Sequence, residues 1–444
     1  MQSSHSLDHI ATAFDDRRLI ADAGLLLPAT LAGRLSLRAL IDQHVDLGTA
    51  AGRARAGDKA LTLIMSALAG GDCILDADAL RAGSSAAVLG HAPAAPSTLG
   101  TYLRSFSWGH ARQLDVVSGK ALARAWAAGA GPGTAPFTID LDSTICETYG
   151  LQKEGGSRFS YTHVRGYHPL LAVAAGMGDV LHSRLRGGPA HSGRGAASFL
   201  AETFGRVRAA GACGPLTMRA DSGFYSAAVT RACRRAGARF SITVKLYAGL
   251  QQRLAAIPEE AWTAIPYWQE GGADVAEIGF TPFADDHPDA KEVRLIVRRV
   301  RPSPGSQLAL LTLYSYHAFI TDRSGDTLAL EADHRRHAEV ENTIRDLKYG
   351  VGLNHLPSGR FGANAAWLAL QVLAHNLARW TSRLGLGAGI VTTKTLRRHL
   401  FSLPGRLAHS ARRLQLHLPE QWPWADQFAS ALARLRAISL PLTN

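Results

Sequence analysis

Three acidic residues have the type and the surroundings needed to bind divalent cations. Asp142 lies in the run TIDLDST, residues 138–144, where a carboxylate in a buried apolar strand costs free energy unless it is paired or binds a cation. Asp221 closes a second predicted strand, just before a glycine-containing turn. Carboxylates at the ends of neighbouring strands converge. The third residue, Glu341, lies in a helix predicted over residues 334–348.

Oxygen ligands of this kind suit Mg²⁺ (or Mn²⁺), and two such ions about 3.5–4 Å apart stabilise both oxygens of an in-line phosphoryl displacement. The set therefore predicts phosphodiester cleavage and strand transfer. Taken singly, Asp221 is more often a turn or cap residue, and Glu341 could form an exposed ion pair with Arg345. A purely structural role explains Asp140 and Asp142 least well, because both carboxylates lie on an apolar strand. Since side chains alternate along a strand, both lie on the same face.

The helix that carries Glu341 also presents a polar stripe. Four side chains at positions i, i+4, i+8 and i+11 share one face: His337, Glu341, Arg345 and Lys348. The adjoining face is apolar and consists of Val340, Ile344 and Leu347. We expect the apolar face to pack against the protein and the polar face to reach a substrate.

The segments around these residues predict a mixed α/β core. The predicted strands cover residues 137–145, 167–175, 180–185, 215–220 and 238–244, and the predicted helices cover 196–209 and 226–236. The order is βββαβαβ. It assigns residues 131–245 to the first part of a catalytic core.

A change of composition follows this first part. Residues 246–315 read as an inserted, mostly β subdomain, with its strongest strand signal over residues 293–300. Helical patterns return over residues 334–348 and 365–384, so residues 316–385 form the second part of the core.

Two further regions flank the core. The Gly- and Pro-rich residues 127–136 separate it from an α-helical N-terminal DNA-binding domain, residues 1–130. Within that domain, residues 96–104 predict a capped helix that recognises DNA in the major groove. The alternative interpretation of these residues is an ordinary amphipathic helix. Its polar side chains are Thr98, Thr101, Tyr102 and Arg104. Residues 386–444 form a basic C-terminal region and a second candidate DNA-binding surface.

Composition sets the broad class. A chain of 444 residues with 46% hydrophobic and 19% charged residues is long enough for two or three folded domains, which excludes disorder as its main state. The formal net charge of +12 favours a polyanionic partner such as nucleic acid, although an arginine-rich composition also arises in GC-rich genomes. The four cysteines lack disulfide or zinc spacing, and neither a signal peptide nor an apolar membrane span is present. We expect a cytoplasmic protein without a membrane partner, associated with the nucleoid when bound to DNA.

Five short blocks carry a family resemblance. They are DLDST at residues 140–144, GYHPL at 166–170, HS at 191–192, RADSGF at 219–224 and AEVENTIRDLK at 338–348. In order and spacing they resemble bacterial insertion-sequence transposases of the DDE class, whose ribonuclease H-like core is interrupted by a β insertion. The acidic positions Asp142, Asp221 and Glu341 are 79 and then 120 residues apart, with the insertion in the second gap. The resemblance implies that these three residues are the catalytic and metal-binding triad.

The third-acid helix departs from the family pattern, which reads Tyr, two residues, Arg, three residues, Glu, six residues, Lys. Glu341 and Lys348 keep the last spacing, whereas His334 and His337 stand at the Tyr and Arg positions. Because the charge of histidine near pH 7 is conditional, we assign the phosphate contact jointly to Arg336 and Lys348. The full set predicted to bind DNA is Arg336, His337, Arg345, Lys348, Lys245 and Arg104.

The implied function is that of a DNA transposase. The resemblance implies an insertion-sequence enzyme that cuts at terminal inverted repeats and joins the 3′-hydroxyl ends to target DNA, using two Mg²⁺ (or Mn²⁺) ions. Its partners are double-stranded DNA and a second copy of the chain, because two ends must be cut in coordination within one synaptic complex.

Two alternatives remain open at this point. The run DLDST also fits the nucleophile loop of haloacid dehalogenase-like phosphatases, with Asp140 as nucleophile and Asp142 as acid/base. Those enzymes need a second acidic pair after a core strand, and Asp285 and Asp286 follow a poor one. The other alternative is a transposase-derived DNA-binding protein whose active site no longer works.

Overall fold

The computed structural model describes residues 7, 10–50, 52–150, 153–160, 163–267, 271–284, 290–302, 314–410 and 413–439. Its strands are β1 Leu19–Ile20, β2 Phe137–Ser143, β3 Cys146–Glu147, β4 Arg158–Phe159, β5 Arg165–Tyr167, β6 Leu170–Ala174, β7 Val180–Arg184, β8 Leu216–Ala220, β9 Arg239–Thr243, β10 Thr263–Ile265, β11 Ala273–Phe280, β12 Val293–Val300, β13 Ser315–Thr321, β14 Gly405–Ser410 and β15 Arg413–His417.

The α-helices are α1 Leu26–Arg34, α2 Leu37–His44, α3 Ala56–Ala69, α4 Ser85–Leu89, α5 Pro96–Arg104, α6 Trp108–Ala125, α7 Ala196–Ala209, α8 Ala227–Arg235, α9 Ala248–Ala255, α10 Thr327–Arg335, α11 Val340–Arg345, α12 Phe361–Trp380, α13 Thr393–Leu396 and α14 Ala425–Ala437. The predicted core strands and helices are all present, and the helix predicted over residues 196–209 has the same ends as α7.

Five strands form the centre of the core, in the order β7, β6, β2, β8, β9. Strands β2, β6 and β7 make an antiparallel meander, while β8 runs parallel to β2 and β9 runs parallel to β8. Helices α7 and α8 supply the two connections after β7 and β8. This is the ribonuclease H-like mixed sheet that the sequence predicts. Every residue of β6 is buried, as expected for a strand covered on both faces.

The β-rich insertion joins this sheet. Strand β13 pairs antiparallel with β9, and β12, β11 and β10 follow outward, so that the part of the chain described here holds one nine-stranded sheet. The strand predicted over residues 293–300 is β12, with the same ends. The mostly β character is therefore confirmed, and the insertion strands extend the core sheet.

A helical layer surrounds α12, which is buried along almost its whole length and packs against α3 and α6. Helix α6 begins at a capping box, in which the Ser107 hydroxyl accepts from the His110 amide and the His110 side chain accepts from the Ser107 amide. The C-terminal region packs onto the N-terminal helices, since β1 pairs with β14 and α14 lies against α1. One hydrophobic core runs through both regions and the sheet.

Within the described ranges, no single helix is long and apolar enough to cross a membrane. One pair bent by 54°, Ala23–Arg34 with Leu37–His44, meets the length and composition criteria only when the two helices are joined. All four cysteines are free, in agreement with their spacing.

Candidate active site

The two aspartates lie at the ends of adjacent parallel strands. The register of β2 and β8 pairs Leu141 with Ala220, so that Asp142 and Asp221 occupy the next position on each strand. Neighbouring strands are about 4.8 Å apart, and the parallel direction brings both carboxylates to the same edge of the sheet. Asp221 also caps the turn Ser222–Phe224, because its Oδ1 accepts from the Gly223 amide at 3.0 Å.

Glu341 approaches this edge from a continuous helical segment, residues 327–350. The segment contains a turn of 3₁₀ helix over Arg336–Glu339 and a π-helical turn over Asp346–Gly350, on either side of α11. Its apolar face packs as predicted: Val340, Ile344 and Leu347 are buried. Glu341 is exposed, and Arg345 donates to Asn342 at 3.1 Å. No ion pair joins Glu341 to Arg345 among the described residues, which removes the exposed-pair interpretation.

The charges of Asp221 and Glu341 act on Asp142. Burial, together with the negative charges of Asp221 and Glu341, raises the pKa of Asp142 to about 6, against the opposing effects of the Ser143 amide and His337. Burial also raises the pKa of Asp221, although the Gly223 amide, His337 and His191 lower it. Asp142 is therefore the central member of the group, since it senses both other acids.

The chemistry of this donor set fits divalent cations. Three carboxylates supply oxygen ligands, and a positive ion would offset the burial and the repulsion that raise the pKa of Asp142. Among the described residues, the carboxylates do not all lie within 4.8 Å of one another; the groups that meet this spacing are Asp72 with Cys73 and Asp76, and Asp115 with His182 and Glu202.

Comparison with known proteins decides the family. The family described as transposase DDE domain group 1 matches residues 2–440, nearly the whole chain. The chain belongs to this family. Among solved structures it is similar to piggyBac transposase in its synaptic complex with hairpin DNA, with 12% sequence identity and a TM-score of 0.45, over 86% of this chain and 80% of that chain. No curated protein matches the sequence.

Asp140 plays a different part from Asp142 in this DDE-family chain. It is 1% exposed, its two oxygens accept from Arg219 at 2.8 and 2.9 Å, and His337 Nδ1 lies 3.0 Å from Oδ1. Because both oxygens are bonded and buried, Asp140 is not available as a phosphatase nucleophile. The acidic pair that the phosphatase interpretation needs, Asp285 and Asp286, lies outside the described residues.

The sequence spacing carries a signal for the Asp140 pair that the sequence analysis missed. Asp140 and Arg219 are 79 positions apart, the same separation as Asp142 and Asp221. Because β2 and β8 are parallel, two residue pairs with the same separation along the sequence are both paired across the two strands. Asp140 and Arg219, which lie two residues before Asp142 and Asp221, are therefore partners.

The two histidines of the Glu341 helix differ in their surroundings. His334 stacks on Phe319 and lies 2.8 Å from the Ser241 hydroxyl and 3.0 Å from the Thr243 hydroxyl. Burial lowers the pKa of His334 to about 3, so the ring is neutral and connects the helix to β9. His337, by contrast, is half-buried and its Nδ1 lies 3.0 Å from Asp140 Oδ1.

A polar chain behind Asp142 also escaped the sequence analysis. His168 Nδ1 donates to the Ala190 carbonyl at 2.8 Å, its Nε2 lies 2.9 Å from the Ser143 hydroxyl, and Ser143 in turn lies 3.2 Å from the Ser192 hydroxyl. These contacts hold the end of β2 and the loop before α7 together. The block GYHPL, which contains His168, was the available signal.

The candidate DNA-binding residues near the acids have different positions. Lys348 is half-buried and donates to the Ile145 carbonyl at 2.8 Å, which connects the helix end to the loop after β2. Arg336 is exposed and paired with Glu339 at 3.0 Å. Arg345 and Lys245 are exposed, and Lys245 follows β9 at the same edge of the sheet as Asp221.

The predicted recognition helix is α5, which begins with Pro96 and has no side-chain cap. Thr101 and Arg104 are exposed, and Arg104 lies 3.4 Å from the Thr101 hydroxyl. The prediction was wrong for Tyr102, which is fully buried; burial raises its pKa and it packs edge-on against Phe106. The exposed face of α5 is therefore narrower than its sequence indicates.

Proposed function

We propose that the chain is an insertion-sequence DNA transposase that cuts at terminal inverted repeats and joins the 3′-hydroxyl ends to target DNA. The observation that carries the proposal is the electrostatic coupling of Asp142 to both Asp221 and Glu341 at one edge of a ribonuclease H-like sheet. The family match over residues 2–440 supports the same conclusion.

In this proposal Asp142, Asp221 and Glu341 are the catalytic and metal-binding residues. Two bound Mg²⁺ (or Mn²⁺) ions would supply charge stabilisation for the attacking and leaving oxygens. The carboxylates of Asp142, Asp221 and Glu341 would hold these ions, and the negative charges of Asp221 and Glu341 both contribute to the raised pKa of Asp142. Above about pH 6 the Asp142 carboxylate is ionised and free to act as a ligand.

The basic side chains around the acids would hold the DNA backbone. Lys245, which follows β9, and Arg345, on the Glu341 helix, are exposed candidates, and Lys348 fixes the helix end. Arg336, on the Glu341 helix, and Arg104, on α5, are two further arginines that we assign to DNA binding. We further propose that the helical N-terminal domain and the C-terminal region recognise the terminal repeats, and that a homodimer holds the two ends.

The test uses the full chain and duplex DNA carrying the inverted repeats that flank the reading frame. Asp142→Asn, Asp221→Asn and Glu341→Gln are each expected to reduce Mg²⁺-dependent nicking by at least about 1000-fold, because each removes a ligand at the reacting phosphate. Glu339→Gln, on the same helix but paired with Arg336, is the matched control and keeps its activity.

Cleavage that survives any of the three ligand substitutions would overturn the triad. If the wild-type chain binds the repeats but neither binds Mn²⁺ nor cuts, the inactive DNA-binding alternative replaces the proposal.

A further inference from the structure

Strands β14 and β15 form an antiparallel hairpin, the ribbon, that is covered by other structure only at its base. The two residues of β1 pair with the first two residues of β14, and the Leu407 amide donates to the Arg18 carbonyl at 2.9 Å. Farther along β14, β15 is the one strand partner within the described ranges. His409 and Leu414, which lie opposite each other there, are both exposed. The outer part of the ribbon is therefore a two-stranded element open to solvent.

The two faces of the ribbon differ in polarity. Directly opposite residues share a face, and side chains alternate along each strand. Leu407 and Leu416 therefore lie on one face, where they join a small apolar cluster with residues of β1 and α4. Arg413, Gln415 and His417 lie on the other face, and all three are exposed. The apolar contact thus fixes the base of the ribbon and leaves the polar face directed to solvent.

The polar face presents unpaired hydrogen-bonding groups and uncompensated charge. The side chains of Arg413, Gln415 and His417 have no hydrogen-bond or ion-pair partner in the described part of the chain. The hairpin sequence GRLAHSARRLQLHL, residues 405–418, contains three arginines, two histidines and no acidic residue. A positive surface without acidic neighbours attracts a polyanion.

The dimensions and side chains of this face suit the major groove of DNA. The groove is about 12 Å wide and admits a two-stranded β ribbon. Side chains on one face of a strand repeat every about 6.8 Å, and base pairs rise by about 3.4 Å, so successive side chains meet alternate base pairs. Arginine forms paired hydrogen bonds with O6 and N7 of guanine, and glutamine does so with N6 and N7 of adenine. Arg413 and Gln415 thus have the chemistry and the spacing needed to read bases.

We propose that the ribbon enters the major groove of the terminal-repeat DNA, where Arg413 and Gln415 read base edges. The inference rests on the proposed function, since it assigns repeat recognition in the C-terminal region to one element. The competing occupant is a second copy of the chain, paired along the open edge of β15. Such a contact would bring two acid-free, arginine-containing hairpins together, so charge favours DNA.

Fluorescence anisotropy of the full chain at fixed salt tests the inference by comparing a duplex of the inverted repeats with a duplex of scrambled sequence. Arg413→Ala and Gln415→Ala are each expected to reduce the preference for the repeats by about 10-fold. Gln415→Ala leaves the net charge unchanged, so its effect separates base reading from attraction to phosphate. Arg436→Ala is the matched control, because it removes an exposed arginine from α14 in the same region and should leave the preference unchanged.

Repeat duplexes containing 7-deazapurines show which groove is read, because these bases lack the N7 acceptor of the major groove. We expect them to weaken the binding of the wild type. The double variant Arg413→Ala/Gln415→Ala should be weakened less, since contacts that are already absent cannot be lost again.

An unchanged preference in both single variants, or equal sensitivity of the wild type and the double variant to 7-deazapurines, would overturn the inference. A changed oligomeric state in sedimentation velocity with an unchanged preference would also overturn it and assign the ribbon to a second copy. A wild type without preference for the repeats would reject repeat recognition in the proposed function as well. A wild type that prefers the repeats, beside unaffected variants, would reject only the role of the ribbon.

Discussion

Two groups of acidic side chains in this chain differ in how their charge is balanced. Burial, together with the negative charges of Asp221 and Glu341, raises the pKa of Asp142 to about 6. Asp115 and Glu202 instead meet the arginines of α6, β7 and α7. Their ion pairs are Asp115 with Arg206 at 2.7 Å, and Glu202 with Arg112 at 2.6 Å and with Arg184 at 2.8 Å.

The carboxyl pKa values of the two groups are shifted in opposite directions. Burial alone would raise the pKa of Asp115, but His182 and Arg206 lower it well below the usual range. Arg112 and Arg184 lower the pKa of Glu202 in the same way, against burial. The second group meets the spacing of a metal site, yet its charge is already compensated by arginine. If Asp142, Asp221 and Glu341 hold the cations as proposed, uncompensated charge identifies the cation site in this fold better than close spacing does.

Removing a carboxylate from the compensated group should cost the most stability. Asp115→Asn leaves Arg206 and His182 without their anionic partner between α6 and the sheet, and we expect a loss of about 3 kcal/mol at pH 7.5. Because the pKa of Asp115 is lowered on folding, its ionised carboxylate stabilises the fold above the unfolded pKa near 3.8. This stabilisation is lost as the pH falls through the folded pKa. Urea unfolding should therefore show that the difference in unfolding free energy between the wild type and Asp115→Asn becomes smaller in acid.

The control for this prediction is Asp78→Asn, which breaks an exposed pair with Arg81 and should change stability by at most about 1 kcal/mol. Equal effects of Asp78→Asn and Asp115→Asn would remove the distinction between the two groups.

The opposite sign is expected at the acidic edge. Asp142→Asn should stabilise the cation-free protein by about 1–2 kcal/mol at pH 7.5, after discounting for the partial exposure of the group, because it removes a buried negative charge and its repulsion with Asp221 and Glu341. Because the pKa of Asp142 is raised on folding, the contribution of this residue to stability is fully present below pH 3.8 and is lost as the pH rises through about 6. The stability gained by Asp142→Asn should therefore vanish below pH 4. Thermal unfolding in EDTA at several pH values measures this, and destabilisation at pH 7.5 would contradict it.

A smaller effect is expected from single phosphate contacts around the acidic edge. Lys245→Ala and Arg345→Ala should each weaken DNA binding uniformly across sequences and reduce the slope of log affinity against log salt by about 1. Lys291→Ala is the control, since Lys291 precedes β12 at the opposite edge of the sheet. Fluorescence anisotropy at several salt concentrations measures the slopes, and equal slopes for all three variants would place the DNA elsewhere.

Local patterns predicted most of the elements, because apolar periodicity and punctuation by Gly and Pro are properties of short segments. The ends of α7 and β12 and the buried stripe of Val340, Ile344 and Leu347 are examples. Residue type and position on predicted strands and a predicted helix indicated the three acids, and the family resemblance implied that they form one triad.

What the sequence did not predict depends on contacts between distant segments. Tyr102 has a polar hydroxyl but packs in the core, and His334 reaches across to Ser241 and Thr243. The Arg-compensated group around Asp115 joins segments up to 90 positions apart. Such partners are set by strand register and helix packing, which no single segment encodes.

The most direct test is Mn²⁺ anomalous scattering from crystals of the full chain bound to terminal-repeat DNA. We predict anomalous peaks within ligand distance of Asp142, Asp221 and Glu341, and none at Asp115, His182 and Glu202. Peaks at the arginine-compensated group, or Mn²⁺-saturated crystals with no peak at the three acids, would contradict the account.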